Sequence, residues 1–266
     1  MLGRLTAILV TTVLLSVVLV TIGWHLPQPQ VYHDPPRDLP WEVPDHRAAN
    51  KQFEYLADGR IRVVTHHLPL PGITPAMLAW FYQQLPISTV ELDGITYPLY
   101  HLFHPTEHGQ LWVVTPAPDG KPGMAEGAVI ERHEWFGEFD SQGKALISAF
   151  SDRGMTATAY AAGMTIGVVE HRYSMVAGKT RYVVTATIGS ELPVIGTLIN
   201  KYLRERVFTA AMIPQWMRHQ VEEVGVLPHF LPALYAQRGA MNNHFVLKSE
   251  QLRIAGATPA VEHLEK

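Results

Sequence analysis

The chain opens on an uncharged apolar run, Leu5 to Ile22, written LTAILVTTVLLSVVLVTI. As a helix rising ~1.5 Å per residue, such a run is about 27 Å long, close to the thickness of a bilayer's hydrocarbon core. Arg4 precedes it, so the positive-inside rule holds that end in the cytoplasm and sends the rest of the chain across. A cleaved signal peptide usually has an apolar region of only ~7–15 residues and a small-residue cleavage site. Here the run is longer and ends in Gly23-Trp24-His25, so residues 1–24 are expected to be a membrane anchor, with the signal peptide as the competing reading. Residues 25–46 carry six prolines: Pro27, Pro29, Pro35, Pro36, Pro40 and Pro44. That density favours extended backbone and reads as a spacer with no core to contribute. Deleting residues 1–45 is therefore expected to leave a soluble folded domain.

From residue 47 to 266 the pattern is strands first, then helices. Ile61 to His66 is β-branched. Thr74-Pro75 followed by AMLAWFYQQL starts a helix with a cap and a first-turn proline. Ile95 to Phe103, Leu111 to Thr115, Ala128 to Phe139, Lys144 to Phe150, Met155 to Tyr160, Thr165 to Met175 and Arg181 to Ile188 read as strands. Turns at Asp140-Ser-Gln-Gly and Ala177-Gly-Lys separate two pairs of them, and connections this short imply antiparallel neighbours. After Pro193 the period becomes helical through LINKYLRERVF and QWMRHQVEEV, with Pro214 breaking or kinking the run. Strands followed by helices argue α+β: an antiparallel sheet packed on a long C-terminal helix.

Composition narrows the chemistry. Net charge is −3, from 21 Lys and Arg against 24 Asp and Glu, which gives no electrostatic footprint for nucleic acid. There is no cysteine, so no disulfide framework and no thiol nucleophile, whereas there are 14 histidines. A metal site must then be built from His, Asp and Glu. Nucleotide-binding and serine-hydrolase motifs are missing: no G-x-S-x-G occurs, and the position where Gly178-Lys179-Thr180 would need its upstream P-loop glycine holds Tyr173.

Three stretches could supply ligands. In His101-Leu-Phe-His104-Pro-Thr-Glu-His108, a strand would turn His101 and His104 to opposite faces. Glu131 and Glu134 likewise face opposite sides of a strand, and Glu134 shares its side with Ile130 and Phe136. An acid among large apolar residues is expensive to bury unless paired or bound to a cation. On the helix, His219 and Glu223 are one turn apart and project together, while Glu222 falls on the solvent side. The alternatives are solvated loop histidines and a surface ion pair.

Three strings carry a family resemblance: Gly72-Ile-Thr-Pro-Ala-Met-Leu-Ala-Trp80, Tyr97-Pro-Leu-Tyr-His-Leu-Phe-His-Pro-Thr-Glu-His108, and Arg218-His-Gln-Val-Glu-Glu-Val-Gly continuing to Phe230-Leu-Pro-Ala-Leu-Tyr235. They resemble the diacetylphloroglucinol (DAPG)/phloretin hydrolase family over scattered motifs within residues 70–235. The resemblance implies a Bet v 1-like helix-grip fold with one zinc in a deep cavity. It implies hydrolysis of the carbon–carbon bond between an acyl group and a phenolic ring, with a small aromatic ketone or polyphenol as substrate. The ligands it implies are His104 or His108, with His104 preferred, Glu134 (Glu131 second), His219 and Glu223. His108, as the histidine left over, and Tyr160 become candidates for holding phenolic hydroxyls or moving a proton. Two departures stand out: Glu107 replaces the usual Asp, and Gln83-Gln84-Leu85 replaces a Trp-His end. The chain is thus expected to be a zinc-dependent hydrolase tethered outside the cytoplasm. The alternative is an anchored helix-grip protein that binds an apolar or polyphenolic ligand without catalysis.

Overall fold

The computed structural model describes residues 10–11, 14–15, 17–18, 21–25, 27–28, 30–161, 163–239, 242–250 and 252. The expected membrane span, residues 5–22, falls largely outside them. Among the described residues no helix is long and apolar enough to cross a membrane; those described between 10 and 22 are helical and exposed.

The expected α+β architecture is present. Strands β1 (Asn50–Tyr55), β2 (Ile61–His66), β5 (His108–Thr115), β6 (Val129–Phe136), β7 (Phe139–Ser151), β8 (Gly154–Ala161), β9 (Met164–Val176) and β10 (Lys179–Ile188) form one sheet in the order β1-β2-β10-β9-β8-β7-β6-β5. Every pairing in it is antiparallel. A smaller sheet sets β3 (Thr89–Leu92) between β4 (Ile95–Pro98) and β11 (His244–Leu247), with β11 parallel to β3. The helices are α1 (Pro75–Gln84), the short α2 (Leu99–Phe103), α3 (Ile195–Tyr202) running into a π-helical turn at Leu203–Val207, and the long α4 (Met212–Ala236). Thr74 caps α1 by accepting the Met77 N–H at 3.2 Å, with Pro75 in the first turn as the sequence predicts.

Helix α4 carries two apolar stretches. Met212, Ile213, Trp216 and Met217 join Ile61, Val63, Phe136 and Ala186 of the sheet. Val224 through Leu234 join a larger core with Leu78, Phe81, Ile130, Ile147, Tyr182 and Val184. Between these stretches, beside buried Val221, α4 buries three polar side chains: His219, Gln220 and Glu223. Pro214 does not interrupt the helix. It lies in the first turn of α4, where a missing N–H costs nothing.

Three expectations give way. The predicted strand Ile95 to Phe103 stops at Pro98, and residues 99–103 are helical. The predicted turn at Asp140 lies inside β7; the chain reverses at Gly137-Glu138, with Phe136 paired to Phe139 and Gly137 at φ +63°. Glycine at the first central position of a two-residue hairpin supplies the positive φ this turn needs. The proline-rich stretch is no free spacer. Leu39 and Trp41 are buried, Trp41 lies 5.2 Å from the Phe230 ring, and Pro44 sits where a Cβ on Gly225 would be, 2.3 Å away. The segment straps α4 and the β6–β7 hairpin, through Val31 N–H to Asp140 and His33 stacked on Trp135.

Candidate metal centre

Each side chain at the centre is placed by a backbone feature. His108 opens β5 directly opposite Glu134 of β6, so the two share a face. His219 and Glu223 project together from α4. Three of these groups converge, with Glu134 beside His108: His108 Nε2 is 3.2 Å from His219 Nε2, 3.4 Å from Glu223 Oε2 and 4.0 Å from Glu134 Oε2. His219 Nε2 is 3.7 Å from the same Glu223 oxygen. Donor atoms ~2.0–2.1 Å from a tetrahedral ion stand about 3.3 Å apart, so these spacings match the edges of such a polyhedron. His108, His219 and Glu223 form a buried group able to hold a metal.

The outer partners fix which ring nitrogen is free. His108 Nδ1 donates to the Tyr100 carbonyl at 2.8 Å, and His219 Nδ1 to Glu107 Oε2 at 2.9 Å. Both Nε2 atoms therefore present lone pairs toward one point, the arrangement of a carboxylate- or carbonyl-oriented metal histidine. Burial, and next the neighbouring imidazoles, push both rings well below the usual imidazole range, so they are neutral. Burial pushes the Glu223 carboxyl well above its usual range, an effect Arg132 opposes and Glu107 adds to. The Glu134 carboxylate accepts from Tyr100 Oη at 2.7 Å and pairs with Arg132. Tyr100 also stacks on His108 at 3.7 Å, and His104 on His219 at 4.5 Å.

Of the two histidines the sequence leaves open, His108 is the one grouped with both His219 and Glu223. His104 is buried beside the centre and forms a second compact group with Glu107 and His219. Its Nδ1 accepts from the Glu107 and Thr106 N–H groups, which leaves Nε2–H to donate to Glu222 at 3.2 Å. Both nitrogens are thus engaged, and His108 is the ring whose lone pair faces Glu134, His219 and Glu223. His101 is tied to the Gly109 carbonyl at 2.7 Å. Glu131 faces away, toward Lys144 and Gln142. Glu222 is not solvated as predicted; it pairs with Arg218 and His104. Tyr160 is 47% exposed on β8 and no described contact joins it to the centre, so its assignment to the site is withdrawn.

The phenols at the centre are others. Tyr82 Oη is 2.6 Å from Tyr182 Oη, which is 2.5 Å from His171 Nδ1, forming a hydrogen-bonded chain. Burial foremost, with neighbouring phenols and Glu223 adding to it, holds the Tyr82 and Tyr182 hydroxyls protonated; burial lowers His171 to about 4. The buried Tyr173 ring packs edge-on against Tyr182 at 4.9 Å. The sequence carried a signal for this group: from the Ala177-Gly178 turn, counting back pairs Tyr182 with Tyr173, and alternation adds His171 to the same face. Arg37 on the strap was also missed. Its guanidinium donates to the His108 carbonyl at 2.9 Å and pairs with Asp34.

A cleft of about 410 Å³ reaches this region, with Tyr100, His101, Asp34, Ser88 and Trp112 on its walls. A larger one, about 590 Å³, lies against Gln83, Asp119, Lys121 and Asp152, and neither is lined by the converging His and Glu residues themselves.

No protein-family model matches the sequence, and no curated protein matches it. Solved structures do show similarity. The solution structure of KanY protein is 12% identical, over 63% of this chain and 94% of that one, at a TM-score of 0.42. Ara h 8.0201 is 12% identical, over 67% and 98%, at 0.36. A START superfamily protein from Mycobacterium smegmatis is 10% identical, over 63% and 98%, at 0.37.

Proposed function

We propose that this protein is a zinc-dependent hydrolase of the carbon–carbon bond between an acyl group and a phenolic ring, of the kind its motifs resemble. The reading that its sheet and α4 make a helix-grip cavity belongs to the same proposal. The observation that carries it is the pair of neutral histidines, His108 and His219, whose Nε2 lone pairs face the Glu223 carboxyl, with Glu134 beside His108. Two nitrogens and two carboxylate oxygens suit zinc. Bound there, zinc supplies Lewis acidity toward an acyl oxygen. The remaining work falls to the chain. Glu107 and the Tyr100 carbonyl orient the two imidazoles, and Tyr100 Oη holds Glu134. The Tyr82–Tyr182–His171 chain holds a phenolic hydroxyl and shares a proton with it. In the overall reaction the water hydroxyl joins the acyl carbon and the ring–acyl bond breaks. Its electron pair stays on the ring carbon, which takes up a proton. The products are a carboxylic acid and the deacylated phenol. A free hydroxyl beside the acyl group is required, because tautomerising to the keto form makes the ring a tolerable leaving group.

The test is to incubate the zinc-loaded protein with acylphloroglucinols, their O-methylated analogues and simple esters. Turnover of the free phenols alone supports the reading. Turnover of esters without any acylphenol leaves a zinc esterase. No zinc and no turnover, with tight retention of a polyphenol or lipid, makes the protein an anchored binder. The proposal includes the membrane anchor over residues 5–22, with the folded domain on the periplasmic or extracytoplasmic side.

A further inference from the structure

We infer that α3 is a second membrane contact, lying on the bilayer surface beside the emerging anchor. The inference rests on the anchor reading above and is independent of the metal and the reaction. The uncharged run ends at Ile22, and the next residues are docked on α3: the Tyr202 hydroxyl donates to the Gly23 carbonyl at 3.3 Å, and the Trp24 and Tyr202 rings are 5.9 Å apart. Lys201 Nζ lies 5.8 Å over the Trp24 ring. One residue of chain spans at most ~3.6 Å, so a span ending at Ile22 brings the hydrocarbon edge close to Tyr202. Tryptophan and tyrosine are the residues that favour that depth.

The same helix face is apolar and uncovered. Leu198 and Tyr202 are one turn apart on α3, and Val194, at φ +64°, is the residue just before its first turn. Val194 is 72% exposed and Leu198 is 37% exposed, and Leu192 and Val207 are also exposed. At 1.5 Å per residue, Leu198 lies about 6 Å along the axis from Tyr202, so the apolar patch extends from the point where the anchor arrives. Of the four charged residues from 201 to 206, Lys201, Arg204 and Arg206 are cationic and only Glu205 is acidic. An apolar patch flanked by cations fits an anionic lipid surface. The occupant is therefore the bilayer rather than a soluble partner, because the chain's own anchor already delivers it there.

The absence of native cysteine makes the test clean. Single-cysteine variants Ile22→Cys, Val194→Cys, Leu198→Cys and Asp119→Cys of the full chain are labelled with an environment-sensitive fluorophore. Each is reconstituted in phosphatidylcholine–phosphatidylglycerol vesicles carrying a shallow spin-labelled lipid. The labels at 22, 194 and 198 should be quenched at least about twofold, and that at 119 should not, as for a helix lying at headgroup depth. Quenching at 22 without quenching at 194 and 198 overturns the inference and leaves the anchor standing. No quenching at 22 removes the anchor and the inference with it. Labels at 194 and 198 shielded from both lipid quencher and aqueous iodide mean that protein covers the patch, which also overturns it.

Discussion

His104→Ala and His108→Ala should have different consequences for the metal, although the two rings lie 5.5 Å apart and both are buried. Structural zinc sites are worth ~10–16 kcal/mol in all, so one of four ligands accounts for roughly 3–4 kcal/mol, or about 10²–10³-fold in affinity. His108 presents a free Nε2 at 3.2–4.0 Å from the other three donors, so its removal should cost that full factor. His104 contributes a stacking surface for His219 and a hydrogen bond to Glu222. Losing such outer support costs ~10–100-fold. Metal content after dialysis against a competing chelator reads the difference, with circular dichroism to confirm that both variants fold. Cobalt substitution adds a second readout, because His104→Ala should keep the tetrahedral absorption bands and His108→Ala should alter them. Loss of metal and bands in His104→Ala, with both retained in His108→Ala, would refute the tautomer argument and restore the ligand assignment read from the motif.

Burial holds His67 neutral, with its pKa lowered from 6.5 to about 3, and neither ring nitrogen has a partner. The unfolded chain takes up that proton first, so stability is complete above about pH 6.5 and falls as pH drops toward 3. The loss at pH 5 is ~2 kcal/mol. His67→Phe should flatten this slope in denaturant titrations between pH 7 and 5; an unchanged slope argues against a neutral buried ring. Trp41→Ala should cost ~3–5 kcal/mol, measured by thermal melting, and truncation to residue 46 should destabilise the domain where truncation to residue 29 does not. Tyr182→Phe keeps the ring packing but breaks the link between Tyr82 and His171. Turnover of an acylphenol should fall ~10²-fold with zinc content unchanged, and a variant with normal kcat would remove the chain from the reaction.

The strands were legible where alternation or turn dipeptides declared them, as in β8 through β10, because a half-buried antiparallel strand writes its two faces into the sequence. β1 was not. Its residues Asn50 to Tyr55 are almost all exposed, so no buried face patterned them. Residues 99–103 misled because Leu, Tyr and Phe suit a strand as well as a buried helical turn. That one difference separates the two histidines: helical backbone through Phe103 turns His104 toward Glu222 and lets β5 begin at His108. Glu134, His219 and Glu223 were readable from periodicity, as acids and imidazole on otherwise apolar faces. The choice between His104 and His108 was not readable, since it depends on which backbone N–H groups meet each ring. The prolines of residues 27–44 did fix an extended backbone, but composition says nothing of what an extended segment lies against.

The converging donors come from opposite ends of the fold's assembly. His108 and His219 are 111 residues apart in the chain. His108 and Glu134 are aligned by a local strand pairing, whereas His219 and Glu223 arrive only with α4, after β10 has closed on β2 across more than a hundred residues. Non-local closure of this kind is slow. During synthesis each half offers two of these donors at most, too few to retain a first-row ion against competitors. If the centre holds a metal as proposed, its capture is the last event of folding, and a bound ion certifies that the C-terminal helix has docked.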